Sequence, residues 1–137
     1  MKHSVKSALL ALALAASATL LAAQTVSDVQ FAPGNFGTMV SGTIIGDEYI
    51  DYRLGAKAGQ EMFVELTVTD SNGNGIVYFN ILPPGSDGEA IYNGSTLGNT
   101  TTVDLPEDGT YSIRVYQVGN DRDTGKTSGF NIDLSIQ

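Results

Sequence analysis

From Ile50 to Ile136 apolar side chains recur at every second position, and this alternation constrains the chain more than any other feature. Ile50, Tyr52 and Leu54 alternate in YIDYRLG, and Met62, Val64, Leu66 and Val68 alternate in EMFVELTVT. Val77, Phe79 and Ile81 repeat the pattern, as do Tyr111, Ile113 and Val115, and then Phe130, Ile132, Leu134 and Ile136. Only an extended backbone puts such residues on one face, so each run predicts a strand with one buried side. Less regular strands are expected at Thr25 to Phe31, at Met39 to Ile45, around Ile91 and at Thr101 to Leu105. Turn-forming stretches separate the runs: LGAKAGQ (Leu54 to Gln60), LPPGSDGEA (Leu82 to Ala90) and LPEDGTY (Leu105 to Tyr111). No segment carries a convincing helical period. Eight or nine short strands predict an all-β fold, a single-domain antiparallel β-sandwich.

The alternation begins only after a leader. Lys2 and Lys6 precede an Ala/Leu run from Ala8 to Leu21, and small residues follow it. That order of basic, apolar and small residues predicts a secretory signal peptide over residues 1–23, with cleavage after Ala23 and a second acceptable site at Ala18. The remaining residues 24–137 then form one domain of ordinary size, too short for a second core. The chain has no Cys, so an exported domain of this sequence is held by packing and hydrogen bonds without disulfides.

Charge narrows the partners. Removing Lys2 and Lys6 from the seven basic residues leaves five against fifteen acids, a net charge of −10 for residues 24–137. Such a balance disfavours nucleic acid and anionic membrane, and favours a cationic partner.

Catalysis is narrowed further. The only His is His3, inside the leader, and there is no Cys and no Trp. His-based nucleophilic triads, thiol chemistry and the usual zinc sets are thereby excluded from residues 24–137. A carboxylate pair across a deep cleft remains conceivable, but the acids sit mostly in turn sequences and a small sandwich offers no such cleft. The protein is expected not to be an enzyme and to need no cofactor. DSNGNG, Asp70 to Gly75, imitates the first half of an EF-hand calcium loop, yet the position of the bidentate Glu is held by Ile81 and the flanks read as strands. It reads instead as a Gly/Asn-rich hairpin turn, with Asp70 as a weak metal candidate.

Among the aromatics, Tyr52, Phe79, Tyr111 and Phe130 fall on the apolar parity and are expected in the core. Tyr49, Tyr78 and Tyr116 fall on the opposite parity and are expected on the surface. Arg53 and Arg114 share that outward parity and read as structural.

One segment calls for a different explanation. Between the strands ending near Tyr116 and beginning near Phe130 lie Gly119 to Gly129, with Asn120, Asp121, Arg122, Asp123, Thr124 and Lys126 among them. Two strands can be joined by two residues, and long connections tend to carry function.

Three motifs give that loop a context. SGTIIGDEYIDYRLGAKAGQ (Ser41 to Gln60), LPEDGTYSIRVYQVGND (Leu105 to Asp121) and FNIDLSI (Phe130 to Ile136) together resemble the bacterial periplasmic inhibitors of g-type lysozyme. The matching patterns are SG-x-I-x-G-x-x-Y-x-x-Y, the K-x-GQ turn, LP-x-x-G-x-Y-x-x-RV and a closing N-x-D strand. The resemblance implies a compact sandwich that binds a lysozyme and plugs its peptidoglycan groove. It implies a lysozyme-binding loop containing Asn120, Asp121, Arg122 and Lys126, and a second contact turn containing Asp47 and Tyr49. Departures are local: the family's aromatic residue after SG-x-I-x-G is matched by Asp47, and its two loop arginines by Gly119 and Asp123, with Arg122 displaced by one position. The segments Tyr52 to Gln60 and Gly109 to Val115 also resemble pre-peptidase C-terminal domains, which implies a non-catalytic carbohydrate-binding or accessory module as the alternative. An open sheet edge would also allow two copies to pair into a homodimer.

Overall fold

The computed structural model describes residues 24–137; the expected signal peptide lies outside them. Nine strands form: β1 (Gln24–Asp28), β2 (Gly37–Ile45), β3 (Tyr49–Ala56), β4 (Glu61–Ser71), β5 (Val77–Leu82), β6 (Tyr92–Asn93), β7 (Thr100–Asp104), β8 (Gly109–Gln117) and β9 (Thr127–Ile136). Two single-turn helices, α1 (Gly94–Leu97) and α2 (Gly119–Asp123), interrupt them. The front sheet has the order β1-β3-β8-β5-β6 and the back sheet the order β2-β9-β4-β7. The result is the expected all-β sandwich, with two corrections. β1 joins β3 in parallel, so the front sheet is not wholly antiparallel, and α1 and α2 are helical turns where none was expected.

The alternation decides what lies between the sheets. Tyr52 and Leu54 from β3, Val64 and Leu66 from β4, Phe79 and Ile81 from β5, and Ile113 and Val115 from β8 are all buried, as are Phe130, Ile132 and Leu134 from β9. Removing side chains of this size from water stabilises the fold by about 1.5–3 kcal/mol each. Tyr52 meets Phe130 edge-on with ring centroids 6.3 Å apart. Gly42 lies over this pair, and a Cβ there would collide with the Tyr52 hydroxyl and the Phe130 ring. Next to it the Ser41 hydroxyl donates to Asn131 Oδ1 at 2.7 Å across β2 and β9. Both ends of the SG and N-x-D motifs are thus occupied with holding the sheets.

Seven of the eight connections cross from one sheet to the other; only β5 and β6 are consecutive neighbours in one sheet. Facing sheets are separated by about 10 Å, so these crossings need more residues than a two-residue hairpin. At the far end, the K-x-GQ turn and the LPEDG turn interlock: Gly59 N donates to Leu105 O at 2.9 Å and Leu105 N to Gln60 O at 2.8 Å. The Tyr111 hydroxyl closes this corner, donating to Glu107 O at 2.6 Å and accepting from Glu107 N at 3.1 Å.

Candidate functional site

Four crossings share the opposite end of the sandwich: residues 46–48 between β2 and β3, 72–76 between β4 and β5, 94–99 between β6 and β7, and 118–126 between β8 and β9. The strand orders set their sequence across the end as 46–48, 118–126, 72–76, 94–99. The segment expected as one loop from Gly119 to Gly129 is shorter, because Thr127, Ser128 and Gly129 already pair with β2 as part of β9. DSNGNG is likewise no hairpin turn; β4 and β5 belong to different sheets. Asp70 sits at a register shift in β4 with the Thr69 hydroxyl donating to it at 3.1 Å, and no group of three His, Cys, Asp or Glu gathers among the described residues.

Asp121 organises this end. It stands in α2 with 1 % of its surface exposed. Its Oδ1 accepts from Asn74 N at 2.9 Å, and its Oδ2 accepts from Gly75 N at 2.9 Å and Ile76 N at 3.4 Å. Those backbone donors, with Asn74 foremost, hold its carboxyl below the ordinary carboxylate range, aided by the Lys126 charge and opposed by burial. Asp121, expected as a member of the lysozyme-binding loop, is buried here and its carboxylate oxygens accept from the 72–76 turn. Gly73 is required beneath it, since a Cβ there would strike the Asp121 carboxylate and Lys126 Cγ. Asn72 ties the same turn to β9, its N donating to Thr127 O at 3.1 Å and its Oδ1 accepting from Thr127 N at 2.9 Å.

A buried polar chain ties the 46–48 crossing to the 118–126 crossing. Gln117, 2 % exposed, donates from Nε2 to Lys126 O at 2.8 Å and to Gly46 O at 3.3 Å. Its Oε1 accepts from the Ser128 hydroxyl at 2.8 Å, which lies 2.9 Å from Ser71 Oγ. Gly46 N donates to Lys126 O at 2.9 Å, and Gly46 adopts φ +57°, a conformation that favours glycine. The sequence does carry a signal for this chain: Gln117 and Ser128 are polar residues on the buried parity of β8 and β9, where a polar group needs a built partner. Neither is among the expected site residues.

The remaining expected contact residues fall into three settings. Asn120 and Arg122 are exposed on α2, where Arg122 Nε lies 2.9 Å from Oδ1 of its exposed neighbour Asp123. Lys126 is half-buried against Gly73. Asp47 is exposed at the 46–48 turn, while Tyr49 is half-buried in the front sheet, with the Arg114 guanidinium 4.5 Å above its ring. Arg114 is fixed in turn by Asp51, Nε to Oδ1 at 2.8 Å and Nη2 to Oδ2 at 2.9 Å. That bidentate bond raises the Arg114 pKa, and it gives Arg114 the structural role expected of it. The end thus presents a mixed-charge tip held from beneath by Asp121 and Gln117.

No protein-family model matches the chain. An inhibitor of g-type lysozyme from Escherichia coli (strain K12) is 32 % identical over 136 residues, 98 % of this chain and 97 % of that protein. The crystal structure of a periplasmic inhibitor of g-type lysozyme from Aeromonas hydrophila superposes with a TM-score of 0.76 at 32 % identity, covering 85 % of this chain and all of the other. The pre-peptidase C-terminal domain of a collagenase from Bacillus anthracis shares the fold at 15 % identity and TM-score 0.54, covering 85 % of this chain and 97 % of that domain.

Proposed function

The chain belongs to the family of periplasmic g-type lysozyme inhibitors, and on that premise we propose that it is exported to the periplasm, binds a g-type lysozyme and occludes its peptidoglycan groove. The single observation that carries this reading is similarity to such inhibitors over nearly the whole length of both chains. The carbohydrate-module alternative is supported at this level by a shared fold alone.

The contact surface assigned to this function is the end that holds α2. Arg122, Lys126 and Asn120 reach the partner from the 118–126 crossing, and Asp47 and Tyr49 from beside it, while Asp121 and Gln117 position the crossing without touching the partner. Rigidity supports this assignment. A tip clamped by three backbone bonds to Asp121 and by the Gln117 chain loses little conformational freedom on binding, which leaves more of the contact energy for affinity. Inhibition by occlusion needs no catalytic group in the inhibitor, and none is assigned.

The test is a cell-wall lysis assay with g-type, c-type and i-type lysozymes and the protein comprising residues 24–137. Selective inhibition of the g-type enzyme is the expected outcome. Arg122→Ala with Lys126→Ala should retain the folded state and weaken inhibition by about tenfold or more, since charged groups at a docked tip are worth about 1–3 kcal/mol each. A folded protein that inhibits none of the three enzymes would remove this reading.

A further inference from the structure

We infer that the partner-contact surface extends beyond α2 along the whole row of four crossings, and that Ile76 and Leu97 are its apolar anchors; this rests on the reading of the protein as a g-type lysozyme inhibitor. The row order places Ile45 on one side of the charged tip and Ile76, then Leu97, on the other. All three are exposed, Ile45 by 48 %, Ile76 by 39 % and Leu97 by 66 %. Single exposed apolar residues are ordinary. Three on one shared end, beside a polar tip, offer a partner apolar contact area next to hydrogen-bonding groups.

Leu97 is also displayed from a fixed platform. Asn93 Oδ1 caps α1 by accepting from Ser95 N at 3.2 Å and from the Ser95 hydroxyl at 2.7 Å. Gly98 N donates to Gly94 O at 2.8 Å, and the Tyr92 hydroxyl donates to Gly98 O at 2.6 Å. Asn99 fastens the exit, its Nδ2 donating to Val77 O at 2.8 Å while its own carbonyl accepts from Leu66 N at 2.9 Å. Gly94 packs so closely on β5 that a Cβ would collide with Phe79 O. Ile76 is held by the Asp121 carboxylate that shapes the tip. A large apolar side chain held rigidly in water serves no purpose in the core, whereas at a docking surface its backbone support is already in place. In the complex so inferred, the charged tip enters the partner's groove and Ile76 and Leu97 rest on the wall beside it.

Single Ile76→Asp and Leu97→Asp variants test this, with Phe36→Asp as the control, because Phe36 is equally exposed at 66 % but lies in the 29–36 crossing at the far end. Affinity for one g-type lysozyme is measured by calorimetry, with melting temperature as the check on folding. Leu97→Ser is a second variant that removes the apolar contact without adding charge. Each loop-end change is expected to weaken binding by about tenfold, while Phe36→Asp leaves affinity within about twofold. If the unaltered protein binds and the Ile76 and Leu97 variants bind equally well, the inference is overturned and the functional reading stands. If the unaltered protein binds no lysozyme, the functional reading fails and this inference falls with it.

Discussion

The two ends of the sandwich are built by different means. The far end is locked by backbone bonds between its motifs, Gly59 to Leu105 and Leu105 to Gln60, with Ala58 N donating to Asp108 Oδ1 at 2.8 Å and Tyr111 bracing Glu107. The α2 end is locked by buried polar side chains, Asp121 and Gln117, that reach across to backbone groups of neighbouring crossings. The motifs that make the family recognisable, K-x-GQ, LP-x-x-G-x-Y and SG with N-x-D, hold strands and far-end turns. The side chains assigned to contact stand on a scaffold fixed beneath them, so they are free to differ. A chain built this way can keep its fold signature intact while the charges at its tip change.

Asp121→Ala is the harshest way to break that contrast. It strands three backbone N–H donors, and among single substitutions at either end it should give the largest fall in melting temperature, together with loss of inhibition. The same carboxylate has a pH signature. Its pKa is lowered in the folded state, so its contribution is complete above pH about 4, the ordinary range of Asp, and is lost as pH falls through the depressed native value. In Asp121→Asn that acid-side step in the stability profile should vanish; an unchanged profile would mean the clamp does not act as described.

Gln117→Leu should cost about 2–4 kcal/mol, because the Ser128 hydroxyl and two backbone carbonyls lose a buried partner, and it should also weaken inhibition by loosening the 46–48 and 118–126 crossings. Tyr111→Phe should cost about 1–3 kcal/mol in chemical denaturation yet leave inhibition per folded molecule unchanged. Loss of inhibition in a folded Tyr111→Phe protein would show that the two ends are coupled. The smallest expected change in stability, within about 0.5 kcal/mol, is that of Asp123→Arg, at an exposed position that the family resemblance matches to an arginine. It should tighten g-type lysozyme binding. The other family arginine cannot be restored so cleanly, since Gly119 adopts φ +61°, where a side chain is strained by about 1 kcal/mol.

Much of the fold was legible in the sequence, because a period of two is a local property of the chain and burial follows it. Tyr52, Phe79, Tyr111 and Phe130 lie in the core, and Tyr49, Tyr78 and Tyr116 are half-exposed on the outer face of the front sheet. The candidate site was legible only in outline. The charged residues after β8 were visible as a segment, but Asp121 could not be told from its exposed neighbours. What separates them is a turn 45 to 47 residues earlier in the chain.

The sequence by itself determined the strands, the face each one buries, the family and the absence of His and Cys chemistry from residues 24–137, all of which depend on residue type and local spacing. The tertiary structure decided that β8 and β9 lie in opposite sheets, and that the residues of their connection beyond what the three-residue 46–48 crossing needs coil into α2 to seat a carboxylate. That outcome depends on which strands become neighbours, and strand order is fixed by packing of the whole core rather than by any one segment.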